Sequence, residues 1–215
     1  MIQVRLLLLA VGVAASGLLA ACGGGNPQVS NDTCSDTQGG AADPYYAEPG
    51  TNGTPVGQQI PQMPHYHVNP PTKVHYEHTP PTSGCHYNLG YGIAPLQAGV
   101  YVNPVAPEYW VHNLEHGYIV VLYHCPTGCA DEVLKLRQWY ATQGADTGLA
   151  ATVGNANSYA KSIVIPYAQD FGHRFAAISW DWYDPFNTLD TMPTGELQKF
   201  YDNHVGNSPE SLSAP

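Results

Sequence analysis

Charged side chains are scarce in this 215-residue chain. They make up 11% of it, and only 7 are Lys or Arg against 17 Asp or Glu. So few cations provide no basic stripe to neutralise phosphates, which argues against nucleic-acid backbone binding and offers little to anionic headgroups. Phe and Met are also few, at 4 and 3, while Gly (22), Pro (19) and Tyr (15) are plentiful. That balance favours a loop-rich, tyrosine-packed domain over a helical bundle. Long apolar runs are missing, with one exception at the start.

The exception is Leu6 to Ala20, preceded by the single cation Arg5. A short charged stretch and a short apolar run form the pattern of a secretory signal. The run ends in Leu19-Ala20-Ala21-Cys22, which looks like a bacterial lipobox. Residues 1–21 therefore read as a lipoprotein signal peptide and Cys22 as the lipidated first residue of the mature chain. The expected place is the outer face of a bacterial membrane, in the periplasm or at the cell surface, with the lipid as the only membrane attachment. With Arg5 removed, 6 cations face 17 anions, and the net charge moves from −10 to −11. A metal ion or a cationic ligand suits such a surface.

Four cysteines remain, Cys34, Cys85, Cys125 and Cys129. An even number outside the cytoplasm suggests two disulfides, and spacing does not choose among the three pairings. Residues 22–60 lack apolar periodicity and read as a flexible tether. Residues 61–215 read as one globular domain. Its first part, to about Trp110, is rich in Pro, His and Tyr and should be mostly irregular. After it, Tyr118–His124 reads as a buried strand and Asp131–Gln143 as a helix with acidic residues in its first turn. Ser162–Tyr167 and Arg174–Trp182 read as strands, and Thr194 as the cap of a final helix. The order strand, helix, strand, strand, helix predicts an α+β fold, a small sheet covered by two helices.

Ten histidines in so uncharged a chain are unusual, and eight of them fall between His65 and His124. Neutral imidazole is a common ligand for zinc and copper. In His112-Asn113-Leu114-Glu115-His116 the two histidines are four apart, so one helical turn would put both on one face. Gly117 would then end the turn where the chain enters the strand.

Pro80-Pro81-Thr82-Ser83-Gly84-Cys85-His86, Gly99-Val100-Tyr101 and His112-Asn113-Leu114-Glu115-His116-Gly117, with His67-Val68 upstream, resemble the DUF3105 family of uncharacterised bacterial proteins. That family's late Ala-Trp-Gly segment is represented here only by Ser179-Trp180-Asp181. The resemblance implies no activity, but it singles out His67, His86, His112 and His116. Four converging imidazoles would make a site for copper or zinc, with Glu115 as a further ligand or as an acceptor orienting an imidazole. His65, His75, His78, His124, His173 and His204 lie off the motifs and are expected on the surface or in packing.

Three other readings compete. His112-x-x-Glu115-His116 matches a zinc-hydrolase pattern, for which Glu196 would be the distal ligand. Against it, Gly117 interrupts the motif and the chain is short. Cys125-Pro-Thr-Gly-Cys129 joins a strand to a helix, as in thioredoxin-like redox or copper-delivery proteins. Trp110, Trp139, Trp180 and Trp182 would suit a metal-free aromatic binding module, although aromatics at this density are more often core. None of these commits the chain to catalysis, and the balance leans away from an enzyme.

Overall fold

The structure, a computed structural model, describes residues 56–88, 90, 93–143 and 160–210. The signal segment, Cys22, Cys34 and the tether as far as residue 55 lie outside the described residues. Among the described residues eight strands and three helices follow in chain order: β1 (Gln58–Gln59), β2 (His67–Val68), β3 (His86–Tyr87), β4 (Gly99–Val100), α1 (Pro107–Glu115), β5 (Ile119–Tyr123), α2 (Ala130–Thr142), β6 (Ser162–Pro166), β7 (Phe175–Ser179), β8 (Trp182–Phe186) and α3 (Glu196–His204). β1 lies just upstream of the boundary expected at residue 61, so the folded unit begins within the segment read as tether.

The α+β class holds, with a larger sheet than the sequence suggested. Six strands run in the order β1-β8-β7-β5-β6-β4. β4, β6 and β5 are mutually parallel neighbours, whereas β5, β7, β8 and β1 pair antiparallel. The stretch Arg174–Trp182, expected to be one strand, breaks at Trp180 and Asp181 into a tight β7–β8 hairpin. Asp181 makes that corner in the left-handed region, at φ 62°. Asp tolerates this conformation better than most residues because its short carboxylate can bond locally.

Both faces of the sheet are buried, so its central strands are apolar throughout rather than alternating. Val120, Leu122, Ile163, Ile165 and Ile178 pack beneath Trp110, Val111 and Leu114 of α1. Ile119, Val121, Val164, Phe175 and Ala177 pack against Leu136 and Trp139 of α2 and Leu197, Phe200 and Tyr201 of α3. The result is three layers, with one helix on one side and two on the other. α1 is the helix the sequence showed only as a single turn. It starts at Pro107, whose fixed φ suits a first helical position.

Two capping details differ from expectation. Thr194 does not cap α3, because Gly195 intervenes with extended backbone and no side-chain cap is made. A side chain could not replace Gly195, since a Cβ there would lie 2.7 Å from the Asp190 carboxyl. Cys125 and Cys129 form a disulfide at the start of α2, and Cys85 is also disulfide-bonded. No helix among the described residues is long and apolar enough to cross a membrane.

Candidate metal centre

The irregular half is tied down by specific contacts, and those contacts place its histidines. Ser83 Oγ accepts the Met63 amide at 3.0 Å, and the Tyr76 hydroxyl donates to the Cys85 carbonyl at 2.7 Å. Gly84 turns the chain at φ 125°, where a Cβ would lie 2.9 Å from the Tyr76 ring. Only glycine fits so close an approach in that conformation. The Pro-Pro-Thr-Ser-Gly segment is thus a rigid elbow that delivers His86 into β3. There β2 pairs with it in parallel, His67 opposite His86 and Val68 opposite Tyr87.

The second motif is equally accounted for. Asn113 holds the preceding loop with a reciprocal pair, accepting the Leu96 amide and donating to the Leu96 carbonyl, both at 2.8 Å. Leu114 enters the core. α1 stops at Glu115, and Gly117 follows at φ 79° with its Cα against Gly206, so a Cβ would lie 2.8 Å from the Gly206 Cα. The buried Lys161 ammonium donates to the His116 carbonyl at 2.7 Å, which neutralises the negative end of α1. Ser208 Oγ and the Glu210 amide both donate to the Glu115 carbonyl, at 2.7 and 3.0 Å.

These two supports bring His67, His86, His112 and Glu115 together. One potential ligand atom from each lies within 4.8 Å of all the others, and three of the four residues are buried. His86 Nε2 is 2.9 Å and His67 Nε2 3.4 Å from Glu115 Oε2. Two second contacts fix ring orientation. His86 Nδ1 donates to the Gly84 carbonyl at 2.8 Å, and His112 Nδ1 to the Tyr87 carbonyl at 2.6 Å. In the His112 ring Nδ1 is spent on backbone, which leaves Nε2 as the lone-pair nitrogen, while His86 turns its Nε2 to the Glu115 carboxylate. Metal-binding histidines are held in this way, so the donor set fits a transition metal.

The electrostatics agree. Burial would push the Glu115 carboxyl up, but hydrogen bonds from His65, His67 and His86 outweigh it and hold it far below the usual carboxylate range. Burial, reinforced by the nearby His86 and His116, pushes the His112 imidazole down to about 3, against a smaller opposing effect of the Tyr87 carbonyl. A neutral imidazole beside an ionised carboxylate is the protonation state that a cation needs.

His116 is not part of this group. It is the C-cap of α1, with φ −89° and ψ 9°, and its Nε2 faces Glu210 Oε2 at 3.6 Å. Its ring stands edge-on to that of His112, with centroids 4.5 Å apart, and it falls in a second group with Glu115 and Glu210. The expected set of four imidazoles becomes three imidazoles and a carboxylate. For the hydrolase pattern the distal glutamate is out of place, since Glu196 stands at the start of α3, outside the group.

Two neighbours were not foreseen. His65, expected to be a surface or packing residue, is exposed but brings Nδ1 to 3.3 Å from Glu115 Oε1. Trp180, 1% exposed, stands edge-on to His65 and His86 with centroids 5.4 and 6.4 Å away. Its Nε1 is buried without a hydrogen-bond partner among the described residues. The one signal for His65 was its spacing of two from His67, which a strand would place on the same face. His204 does take a packing role, with Nε2 2.7 Å from the Val56 carbonyl.

A family profile described as "Protein of unknown function (DUF3105)" matches residues 67–214. The chain belongs to the DUF3105 family. The match opens at His67 and includes every member of the three-histidine, one-carboxylate group. Asp181, next to Trp180, takes a left-handed backbone of the kind glycine favours and so turns the corner that presents Trp180. Neither the curated proteins nor the solved structures yield a match.

Proposed function

We propose that this DUF3105 protein is an exported, lipid-anchored metal-binding protein that holds one copper or zinc ion through His67, His86, His112 and Glu115. The observation that carries the reading is the convergence of four ligand atoms within 4.8 Å, with the Nδ1 atoms of two of the rings already committed to backbone carbonyls. Metal–nitrogen bonds near 2.0–2.1 Å require only a modest contraction of this group. Three imidazoles and one carboxylate suit zinc or copper better than calcium or magnesium, which prefer all-oxygen shells. A bound ion would tie the irregular half, through His67 and His86, to α1, through His112 and Glu115.

The test is elemental analysis of the full chain, purified untagged from membranes in detergent. About one equivalent of copper or zinc is expected, lost in the His86→Ala and His112→Ala variants. Stripping the metal should lower the melting temperature, and returning it should restore it. Metal-free protein whose melting temperature ignores added copper and zinc overturns the reading.

Export and anchoring rest on Arg5, the Leu6–Ala20 run and the Leu19-Ala20-Ala21-Cys22 segment. Metabolic labelling with a radioactive fatty acid should mark the parent protein and not Cys22→Ser. Equal labelling of the two removes Cys22 as the anchor.

A further inference from the structure

We propose that the Cys125–Cys129 disulfide is a thiol–disulfide exchange site for a basic peptide or protein segment bearing two cysteines. This activity is separate from metal binding. The metal group lies before β5 and the disulfide after it, and five strand residues span roughly 16 Å.

The bridge does little as a staple. It encloses only Pro126, Thr127 and Gly128, in a turn already closed by the Gly128 amide donating to the Cys125 carbonyl at 3.0 Å. Loop-closure stabilisation is smallest for the shortest loops. Its position is chemically better than its topology. β5, α2 and β6 form a parallel βαβ unit, and the cysteine pair sits at its strand-to-helix junction, where redox-active pairs are found. Cys129 is the N-cap of α2, a 13-residue helix, with no side-chain cap bond. The dipole at that end favours a thiolate on Cys129. Asp131 and Glu132 in the first turn oppose this, but Glu132 is engaged by Arg174 at 2.7 Å.

The two cysteines also face a cavity. A space of about 550 Å³ is lined by both of them together with His124, Val133, Pro166 and Tyr167. Cys129 is buried at 8% exposure, whereas Cys125 is partly exposed and is the sulfur an incoming thiolate meets first. The cavity wall is largely apolar, and the acidic Asp131 follows directly after it on a chain of net charge −10. That field selects a neutral or basic peptide over an anionic thiol such as glutathione.

The exchange balances without a further oxidant. The peptide thiolate attacks Cys125 Sγ, the Cys125–Cys129 bond breaks, and its electron pair leaves on Cys129. The second peptide thiolate then attacks the peptide sulfur of the mixed disulfide and releases Cys125. The peptide is oxidised to a disulfide and the protein is reduced to a dithiol, with the two thiol protons passing to Cys125 and Cys129 through solvent.

The experiment treats the oxidised full chain with a basic two-cysteine peptide or with reduced glutathione at equal thiol concentration. Samples are quenched by alkylation and each cysteine is mapped by mass spectrometry. The expected result is alkylation at Cys125 and Cys129 but not at Cys85, roughly tenfold faster with the basic peptide than with glutathione. Cys129→Ser, whose Cys125 is a free thiol, should trap a peptide–Cys125 mixed disulfide when given the peptide in its disulfide form, the Cys125 thiolate displacing one peptide sulfur as a thiolate that the quench alkylates, while keeping the parent's melting temperature. A bridge that opens only after denaturation, or a folded Cys129→Ser protein that traps nothing, overturns the exchange site. Equal rates for the two reagents overturn the preference for a basic peptide.

Discussion

His67 and His86 stand opposite each other in a two-residue parallel ladder, with ring centroids 4.7 Å apart and planes at 89°. Both rings reach the same oxygen, Oε2 of Glu115. The pair is unequal, because the His86 side chain is wholly buried and that of His67 is 15% exposed. Removing His86 leaves a buried carboxylate short of its closest donor, a loss of about 1–3 kcal/mol. His86→Ala should therefore unfold at clearly lower denaturant than the parent, and His67→Ala should fall between them. Both should weaken metal binding at least about tenfold in competition with a chelator. Equal stability of the two variants would refute this ranking.

Trp180 is placed to report on the site. Copper(II) quenches nearby indoles, and the Trp180 ring lies 6.4 Å from that of His86. Copper should quench part of the tryptophan emission of the metal-stripped protein. Trp180→Phe should lose that quenched fraction while still binding copper by elemental analysis. Undiminished quenching in the variant would place the copper elsewhere.

Gly117 and Gly206 touch through their backbones, with the Gly206 amide donating to the Gly117 carbonyl at 2.9 Å. A methyl group at either the left-handed backbone or the contact would cost energy, and Gly117 combines the two. Gly117→Ala should lose on the order of 2 kcal/mol. Gly206→Ala, strained at φ 75° but with nothing near its Cβ position, should lose less. Chemical denaturation of the two variants measures the difference.

Asp184 gives a pH dependence whose sign is fixed. Burial, then repulsion from Glu196, raise its carboxyl from the ordinary 3.8 to about 6, partly offset by His204. The folded state therefore holds a proton that the unfolded state releases. The contribution of Asp184 to stability is fully present below about pH 4, falls as pH rises towards 6, and is flat above. Asp184→Asn should be more stable than the parent above pH 6, by up to about 3 kcal/mol, with the gain vanishing below about pH 4. A gain that persists unchanged at low pH would rule out the carboxyl as its source.

Much of the fold is legible in the residues. The run at Ile119–Tyr123, the acidic start of α2 and the apolar face of α3 carry their own periodicity, because burial on both sheet faces demands it. α1 was visible only as one turn, since the sequence before it is dominated by Pro and Tyr and only Pro107 marks a start. The β7–β8 hairpin was missed because its corner uses Asp181 rather than glycine or Asn-Gly, the usual turn signal.

By itself the sequence determined the inventory: an acidic, cation-poor chain in which His67, His86, His112, Glu115 and His116 sit on DUF3105-like motifs. It also marked Gly117 as the end of the turn that carries His112 and Glu115. Which histidines meet was decided by tertiary structure alone. His116 turns its Nε2 to Glu210, whereas Glu115 faces His67 and His86. The β2–β3 ladder, fixed by contacts 19 and 20 residues apart in sequence, sets His67 against His86. Ligand identity is local chemistry, but convergence requires strand register and helix termination. Those follow from packing of the whole chain rather than from the spacing of any one motif.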